Sequence, residues 1–148
     1  MPKDPEPLKE ILYRTTARYV TIRPDGLDLD ERFERSVQAR ILDHGGARTL
    51  YKNRKPDCRS LNGVRSIKGR DCGDCPSSPR CTPQVRLDFL VDRRPYRLLL
   101  AYTSAKNFLL YAGKLKGEGK DVTEVVTRIN VIDRGSWGEL RFAQEGSQ

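Results

Sequence analysis

Four cysteines lie within a 24-residue stretch of this chain, and their spacing is typical of a metal site. Cys58, Cys72, Cys75 and Cys81 follow the pattern C-x13-C-x2-C-x5-C, which uses every cysteine in the sequence. Four thiolates around Zn²⁺ form a closed structural site that leaves no position for a reacting water. The sequence therefore predicts a structural zinc site. An iron–sulfur cluster is the alternative, because four thiolates also hold such clusters.

The positive charge of the chain is concentrated around these cysteines. Residues 48–97 contain 13 Lys or Arg and 5 Asp or Glu, so this block carries the whole net charge of +8. A local basic block, unlike a general excess of charge, indicates a polyanionic partner. Guanidinium and ammonium groups on short loops are suited to phosphate contacts. The block therefore predicts binding to nucleic acid.

Aromatic side chains supply the second part of a nucleic-acid site, because single strands stack their bases on exposed rings beside cations. Trp137 falls on the same strand face as Glu139 and Arg141, and that face is predicted to be exposed. Tyr51 precedes the cysteine-rich segment, and Tyr96 begins a later strand. The predicted nucleic-acid contacts are Tyr51, Lys52, Arg54, Lys55, Arg59, Arg65, Lys68, Arg70, Arg86, Tyr96, Arg97 and Trp137.

The sequence contains no recognisable catalytic constellation. His44, the only histidine, lies in a Gly-Gly turn and has no evident nucleophile partner. Asp28 and Asp30 belong to a charged run that is typical of a solvated surface. Gly119-Lys120 lacks the sequence context of a phosphate-binding loop. We therefore expect a binding protein and not an enzyme.

Hydrophobic periodicity indicates which elements position these residues. From Ser36 onward it predicts strand, cysteine-rich insert, two strands, a helix that starts at Thr103 or Ser104 and ends at Gly117, and two strands. This mainly β order matches the OB-fold, a five-stranded barrel with one helix between its third and fourth strands. Residues 54–82 would then be a zinc-knuckle insertion between strands 1 and 2, and residues 134–136 the loop between strands 4 and 5.

The chain length of 148 residues is that of one domain. We expect a tail with a short helix over residues 1–15 and a single OB-like domain over residues 16–148. No run approaches the roughly 20 apolar residues that span a membrane, and the N-terminus lacks the apolar core of a signal peptide. These features predict a cytoplasmic protein without a membrane partner, in a compartment where thiols stay reduced.

A family resemblance adds to these inferences. The segments CRSLNGVRS at Cys58–Ser66 and CGDCP at Cys72–Pro76, then Cys81 and a helix opened by Thr-Ser after two strands, resemble a group of bacteriophage and mobile-element proteins. That group is regarded as single-stranded-DNA-binding-protein-like, and the likeness covers roughly residues 37–143. The resemblance implies an OB-type fold with a zinc insert that acts in DNA replication or recombination. It carries over the four cysteines but no individual DNA contacts.

Three functions follow as hypotheses. The first is a non-catalytic single-stranded DNA-binding protein of a phage or mobile element, acting in the host cytoplasm. The same chemistry would also accept RNA. The second is a zinc-stapled adaptor that binds an acidic protein partner. The third is an accessory to a metal-cluster nuclease, because C-x2-C-x5-C also resembles the cluster-binding segment of some nucleases. Replication or recombination proteins and a second copy of the chain are further candidate partners.

Overall fold

The described part of the chain is mainly β, with one α-helix. A computed structural model describes residues 17–52, 55–61 and 81–145. The strands are β1 (Arg18–Tyr19), β2 (Thr21–Arg23), β3 (Gly26–Asp28), β4 (Phe33–Glu34), β5 (Ser36–Lys52), β6 (Lys55–Ser60), β7 (Thr82–Val91), β8 (Arg94–Ala101), β9 (Val126–Asp133) and β10 (Gly138–Gln144). The helix α1 covers Tyr102–Gly117, and a 3₁₀ turn covers Val122–Glu124. The predicted tail of residues 1–15 and most of the predicted insertion 54–82 lie outside the described residues.

Seven strands form one sheet in the order β1-β8-β7-β5-β9-β10, and β6 pairs with β5 beside this path. The pairing of β1 with β8 is parallel, and the other pairings are antiparallel. A second, small antiparallel sheet has the order β2-β3-β4. The four C-terminal strands, β7, β8, β9 and β10, follow the predicted strands 2 to 5 along the chain.

The long strand β5 connects the two halves of the large sheet. Its first residues, Ser36–Arg40, pair with β9, whereas Arg40–Thr49 pair with β7. The register with β7 shifts between Ile41 and Asp43. An extra residue at such a bulge bends the strand and increases its twist. The sequence indicates a turn or bulge at residues 43–46, and the structure has a continuous strand with the bulge just before them.

The prediction of a closed barrel is wrong for the described residues, because the sheet is open. Closure would require β8 to pair with β10. The edge of β8 is instead taken by β1, where the Val20 N–H donates a 2.9 Å hydrogen bond to the Arg97 carbonyl. The N-terminal segment also reaches β10, since a Cβ on Gly138 would lie 2.4 Å from the Arg23 carbonyl oxygen. Residues 17–35 thus contact both strands that closure would join.

The core lies between the inner face of the large sheet, the helix and the N-terminal segment. Leu87 and Phe89 of β7 are fully buried, as their alternation with polar residues predicts, and Phe108 of α1 is fully buried against the same core. Leu27 and Leu29 of the N-terminal segment belong to this cluster too. Residues 17–35 are therefore part of the folded domain, although the charged run within them gives little sequence signal.

The helix begins at Tyr102, and neither Thr103 nor Ser104 caps it. Ser104 is buried, and its Oγ accepts a 3.0 Å hydrogen bond from the Leu140 N–H. The Asn107 side-chain amide donates a 3.0 Å hydrogen bond to the Leu140 carbonyl. Both backbone groups of Leu140 that point away from β9 are therefore bound by helix side chains. These contacts fix α1 against β10.

Candidate nucleic-acid interface

A buried carboxylate organises the outer face of β7 and β8. Asp88 is 2% exposed, and its Oδ1 accepts a 2.7 Å hydrogen bond from Nε of Arg97. Its Oδ2 accepts from the Arg86 guanidinium. Arg86 also pairs with Asp43 at 3.0 Å and donates from Nε to the Leu61 carbonyl at 2.9 Å. Because Leu61 directly follows β6, this network ties the start of the insertion to the centre of the sheet.

Three predicted nucleic-acid contacts therefore have other roles. Arg97 is 5% exposed and neutralises Asp88, and Arg86 is held by two carboxylates and a carbonyl. Desolvation by burial lowers the pKa of Arg97. The hydrogen bonds and charge interactions with Asp88 and Tyr19 raise it by more, so the pKa of Arg97 is raised overall. Tyr96 faces the core at 4% exposure, because it lies opposite Phe89 and stacks on it with ring centroids 6.0 Å apart. Tyr96 and Arg97 are thus buried in this structure, and Arg86 is engaged by its ion pairs.

A second network of hydrogen-bonded polar side chains crosses the sheet where the insertion begins. Tyr51 is 42% exposed, and its hydroxyl accepts a 3.2 Å hydrogen bond from the Gln84 amide. Gln84 Oε1 accepts from the buried Thr49 hydroxyl at 2.6 Å. Thr49 Oγ1 accepts in turn from Nε of Arg59 at 3.3 Å. Tyr51 and Arg59, both predicted contacts, are therefore brought together and held by hydrogen bonds at the base of the insertion.

Arg59 also contacts an aromatic ring that the sequence analysis did not single out. Its guanidinium carbon lies 5.1 Å from the centroid of Tyr19, and that of Arg97 lies 5.9 Å from the same ring. Tyr19 is 48% exposed. The available sequence signal for Tyr19 is alternation across β1 and β2, where Tyr19 and Thr21 are exposed while Val20 is buried and Ile22 is partly buried.

Trp137 lies at the opposite end of the large sheet, in the loop between β9 and β10. It is 44% exposed, as predicted, although it precedes β10 and does not belong to the strand face on which that prediction was based. Its carbonyl accepts a 3.0 Å hydrogen bond from the Arg134 N–H, and this bond closes the hairpin. Gly135 adopts a φ of 91° in that turn, a conformation that favours glycine. Trp137 is thus an exposed ring on a short, hydrogen-bonded loop.

Glu139 is buried next to this loop, contrary to the prediction that it shares an exposed face with Trp137. Its carboxylate accepts from Asn107 at 2.9 Å, from Arg141 at 3.0 Å and from Nη2 of Arg134 at 2.8 Å. Hydrogen bonds from Asn107, Arg141 and Arg134 lower the pKa of Glu139 from an ordinary value of 4.5 to about 2. The buried carboxylate therefore binds Arg134 and Arg141, whose own side chains stay exposed.

The two described cysteines lie at one end of β5. Cys58 is opposite Leu50 in the pairing of β6 with β5, and Cys81 directly precedes Thr82, which is opposite Thr49 on the other side. Strands two positions apart in a sheet are separated by about 9.5 Å. Cys58 lies on β6 and Cys81 directly precedes β7, the two strands that flank β5, so an ion bound by both would lie between those strands, over this end of β5. Both side chains are half-buried there.

The remaining predicted ligands and most of the predicted basic contacts belong to parts of the chain outside the described residues. Cys72 and Cys75 lie outside the described residues, as do the side chains of Lys52, Arg54, Lys55, Arg65, Lys68 and Arg70. Over residues 17–52, 55–61 and 81–145, no group of three or more His, Cys, Asp or Glu side chains could hold a metal ion. That search does not cover the four-cysteine set, because two of its members fall outside it.

Comparisons with family models, curated proteins and solved structures find no match for this chain. Among the described residues, α1 is the longest helix, and neither it nor any other is long and apolar enough to cross a membrane.

Proposed function

We propose that this chain is a non-catalytic single-stranded DNA-binding protein of a phage or mobile element that acts in DNA replication or recombination. The observation that carries the proposal is a hydrogen-bonded link, through Gln84 and Thr49, between the exposed Tyr51 and the cation of Arg59 at the base of the basic insertion. Gln84 donates a hydrogen bond to Tyr51, and Thr49 accepts one from Arg59, so both side chains have protein partners that favour these positions. Bases stack on such rings, and phosphates bind such cations.

The insertion would supply most of the phosphate contacts. In the described residues, Arg86, Arg94 and Arg97 of the basic block are already in ion pairs with carboxylates. Ion pairing reduces the positive potential that these residues offer to a phosphate. Arg59, whose side chain is half-buried and hydrogen-bonded to the neutral Thr49 hydroxyl, and the basic residues of the insertion are therefore the proposed source of the attraction for a polyanion. Order in that segment would depend on the metal, because its sequence has few large apolar residues.

The proposed metal is zinc, held by Cys58, Cys72, Cys75 and Cys81. Zinc bound by four thiolates would supply a structural crosslink and no catalysis. The two described thiols lie at the two ends of the insertion and near one end of β5, which is compatible with a single site that draws those ends together. We further propose that the fold is an OB-type arrangement opened by the N-terminal segment. Support comes from the pairing order of β8, β7, β5, β9 and β10 and from the helix between β8 and β9.

A binding titration tests the function. Fluorescence anisotropy of a labelled oligonucleotide should show tighter binding to a single strand than to the matching duplex, and affinity should fall as salt rises. For single strands, each phosphate contact contributes about 0.7 to the slope of log K against log salt. Arg59→Ala should reduce that slope by about 0.7, whereas Lys116→Ala, which removes an exposed cation of α1, should leave it unchanged.

A Tyr51 variant tests the stacking part of the proposal in the same titration. Tyr51→Ala should cost about 1–3 kcal/mol of binding free energy, the usual contribution of one base–aromatic stack. Tyr102→Ala, which removes a still more exposed ring from the start of α1, is the matched control and should bind as the wild type does. A wild-type protein that binds duplex and single strand equally would contradict the proposal. Salt-dependent binding to an acidic protein without binding to oligonucleotides would favour the adaptor.

A further inference from the structure

Tyr19 is an exposed ring on the same face as Tyr51, and its backbone is fixed by the sheet. It lies opposite Arg97 in the parallel pairing of β1 with β8, and the next residue, Val20, donates a hydrogen bond to the Arg97 carbonyl. Val20 is buried in the core. The position of Tyr19 is therefore set by the packing of the N-terminal segment.

Two guanidinium groups flank the ring in different ways. Arg97 is buried and bound to Asp88, so it cannot leave the ring to meet a ligand without exposing a buried charge. Arg59 is only half-buried, and its one hydrogen bond to a side chain in the described residues goes to the neutral Thr49 hydroxyl. Arg59 thus retains donors for a phosphate while its guanidinium carbon stays 5.1 Å from the Tyr19 centroid.

The same arginine connects Tyr19 to Tyr51. Arg59 contacts the Tyr19 ring and donates to Thr49, Thr49 donates to Gln84, and Gln84 donates to the Tyr51 hydroxyl. The face therefore presents two half-exposed rings with one cation linked to both. Single-stranded nucleic acid binds surfaces of this kind, where successive bases stack on rings and an intervening phosphate meets a cation.

We propose that Tyr19 is a second base-stacking residue and that Arg59 is the phosphate contact it shares with Tyr51. This inference rests on the proposed function of single-strand binding. It assigns to the segment before β5 a direct part in the site. The ligand class is a single strand long enough to place bases on both rings.

The test is a titration of the full-length protein with a labelled oligothymidylate at several salt concentrations. Tyr19→Ala and Tyr19→Leu should each weaken binding by about 5- to 150-fold, the loss of one base–aromatic stack. Tyr19→Phe should bind nearly as the wild type does, because it keeps the ring. The salt slope should stay unchanged in all three variants, since no phosphate contact is removed. Thermal melting of each variant shows whether it is folded at the titration temperature.

The outcomes separate this inference from the function on which it rests. Wild-type binding together with normal binding by folded Tyr19→Leu would overturn the role of Tyr19 and leave single-strand binding intact. Weakened binding by Tyr19→Phe to the same extent as Tyr19→Leu would also overturn it, because the hydroxyl and not the ring would then matter. Failure of the wild type to bind any single strand would overturn both.

Discussion

Arg97 donates a 2.7 Å hydrogen bond to Asp88 from the neighbouring strand, and both side chains are almost fully buried on the outer side of the sheet. The pair is covered because β1 adds to the edge of β8 and places Tyr19 beside Arg97. Asp88 also binds Arg86, which holds the Leu61 carbonyl. One carboxylate thus links the N-terminal segment, the centre of the sheet and the start of the insertion.

Removing the charge of Asp88 should destabilise the protein strongly. Asp88→Asn leaves two guanidinium groups without their shared counter-charge, and breaking a buried ion pair typically costs about 3–5 kcal/mol. Asp92→Asn is the matched control, because Asp92 also pairs with an arginine, Arg32, but its side chain is 73% exposed. An exposed pair contributes about 0–1 kcal/mol. Urea denaturation of both variants measures the difference, and equal costs would contradict the assignment of Asp88 as a buried network centre.

The protein should contain about one zinc ion per chain, bound by four thiolates. Elemental analysis of purified protein measures the stoichiometry, and a visible absorption spectrum separates zinc, which is colourless, from an iron–sulfur cluster. Cys72→Ser or Cys75→Ser should lower the zinc content and disorder the insertion. The domain should stay folded, because Leu87, Phe89 and Phe108 form a core that includes no cysteine. Stoichiometric iron, or no metal at all, would rule out the zinc site.

Trp137 should report ligand binding by its fluorescence. If a base stacks on the exposed ring, a single-stranded oligonucleotide should quench its emission, and Trp137→Ala should cost about 1–3 kcal/mol of binding free energy with little loss of fold stability. Trp137→Phe keeps an aromatic face and should retain most of the affinity. A variant that melts several degrees lower yet binds normally would show that Trp137 stabilises the hairpin and lies outside the site.

Glu139 should make the stability of the protein depend on pH in the acid range. Its pKa is lowered in the folded state to about 2, so its contribution is fully present above the unfolded value of 4.5 and is lost as the pH falls toward 2. Glu139→Gln should be less stable than the wild type at pH 7, and the difference should shrink between those two values. Arg141→Gln, which removes one of the three donors, should give an intermediate profile in chemical denaturation. A difference that is constant across this range would contradict the assignment.

The strands and the helix could be predicted because their periodicity is local. Val85, Leu87 and Phe89 alternate with Arg86 and Asp88, and these three apolar residues and Val91 are all buried. The partner of Asp88 could not be predicted, since cross-strand register depends on the turn. Asp92 and Arg93 both adopt positive φ values, 50° and 67°, in a two-residue hairpin loop. Such loops usually contain Asn or Gly, so the sequence gives little sign of the register that places Asp88 opposite Arg97.

The open sheet could not be predicted for a different reason. Barrel closure depends on contacts between elements that are distant in sequence, and the competing partner of β8 is only two residues long. Alternation around Tyr19 can indicate an extended segment, but it does not indicate which strand that segment pairs with. The burial of Glu139 was missed because alternation assigns a face but does not reveal that Asn107 and two arginines gather on that face.

The side chains of Ser104 and Asn107 have a consequence for how this protein behaves at high concentration. An exposed edge strand can recruit the edge of another molecule through its unused backbone groups, which is a common route to aggregation. In β10, however, the N–H and the carbonyl of Leu140 are already hydrogen-bonded to Ser104 and Asn107 of the helix. A second chain could pair there only by displacing both side chains, so α1 protects the centre of this edge from intermolecular strand addition.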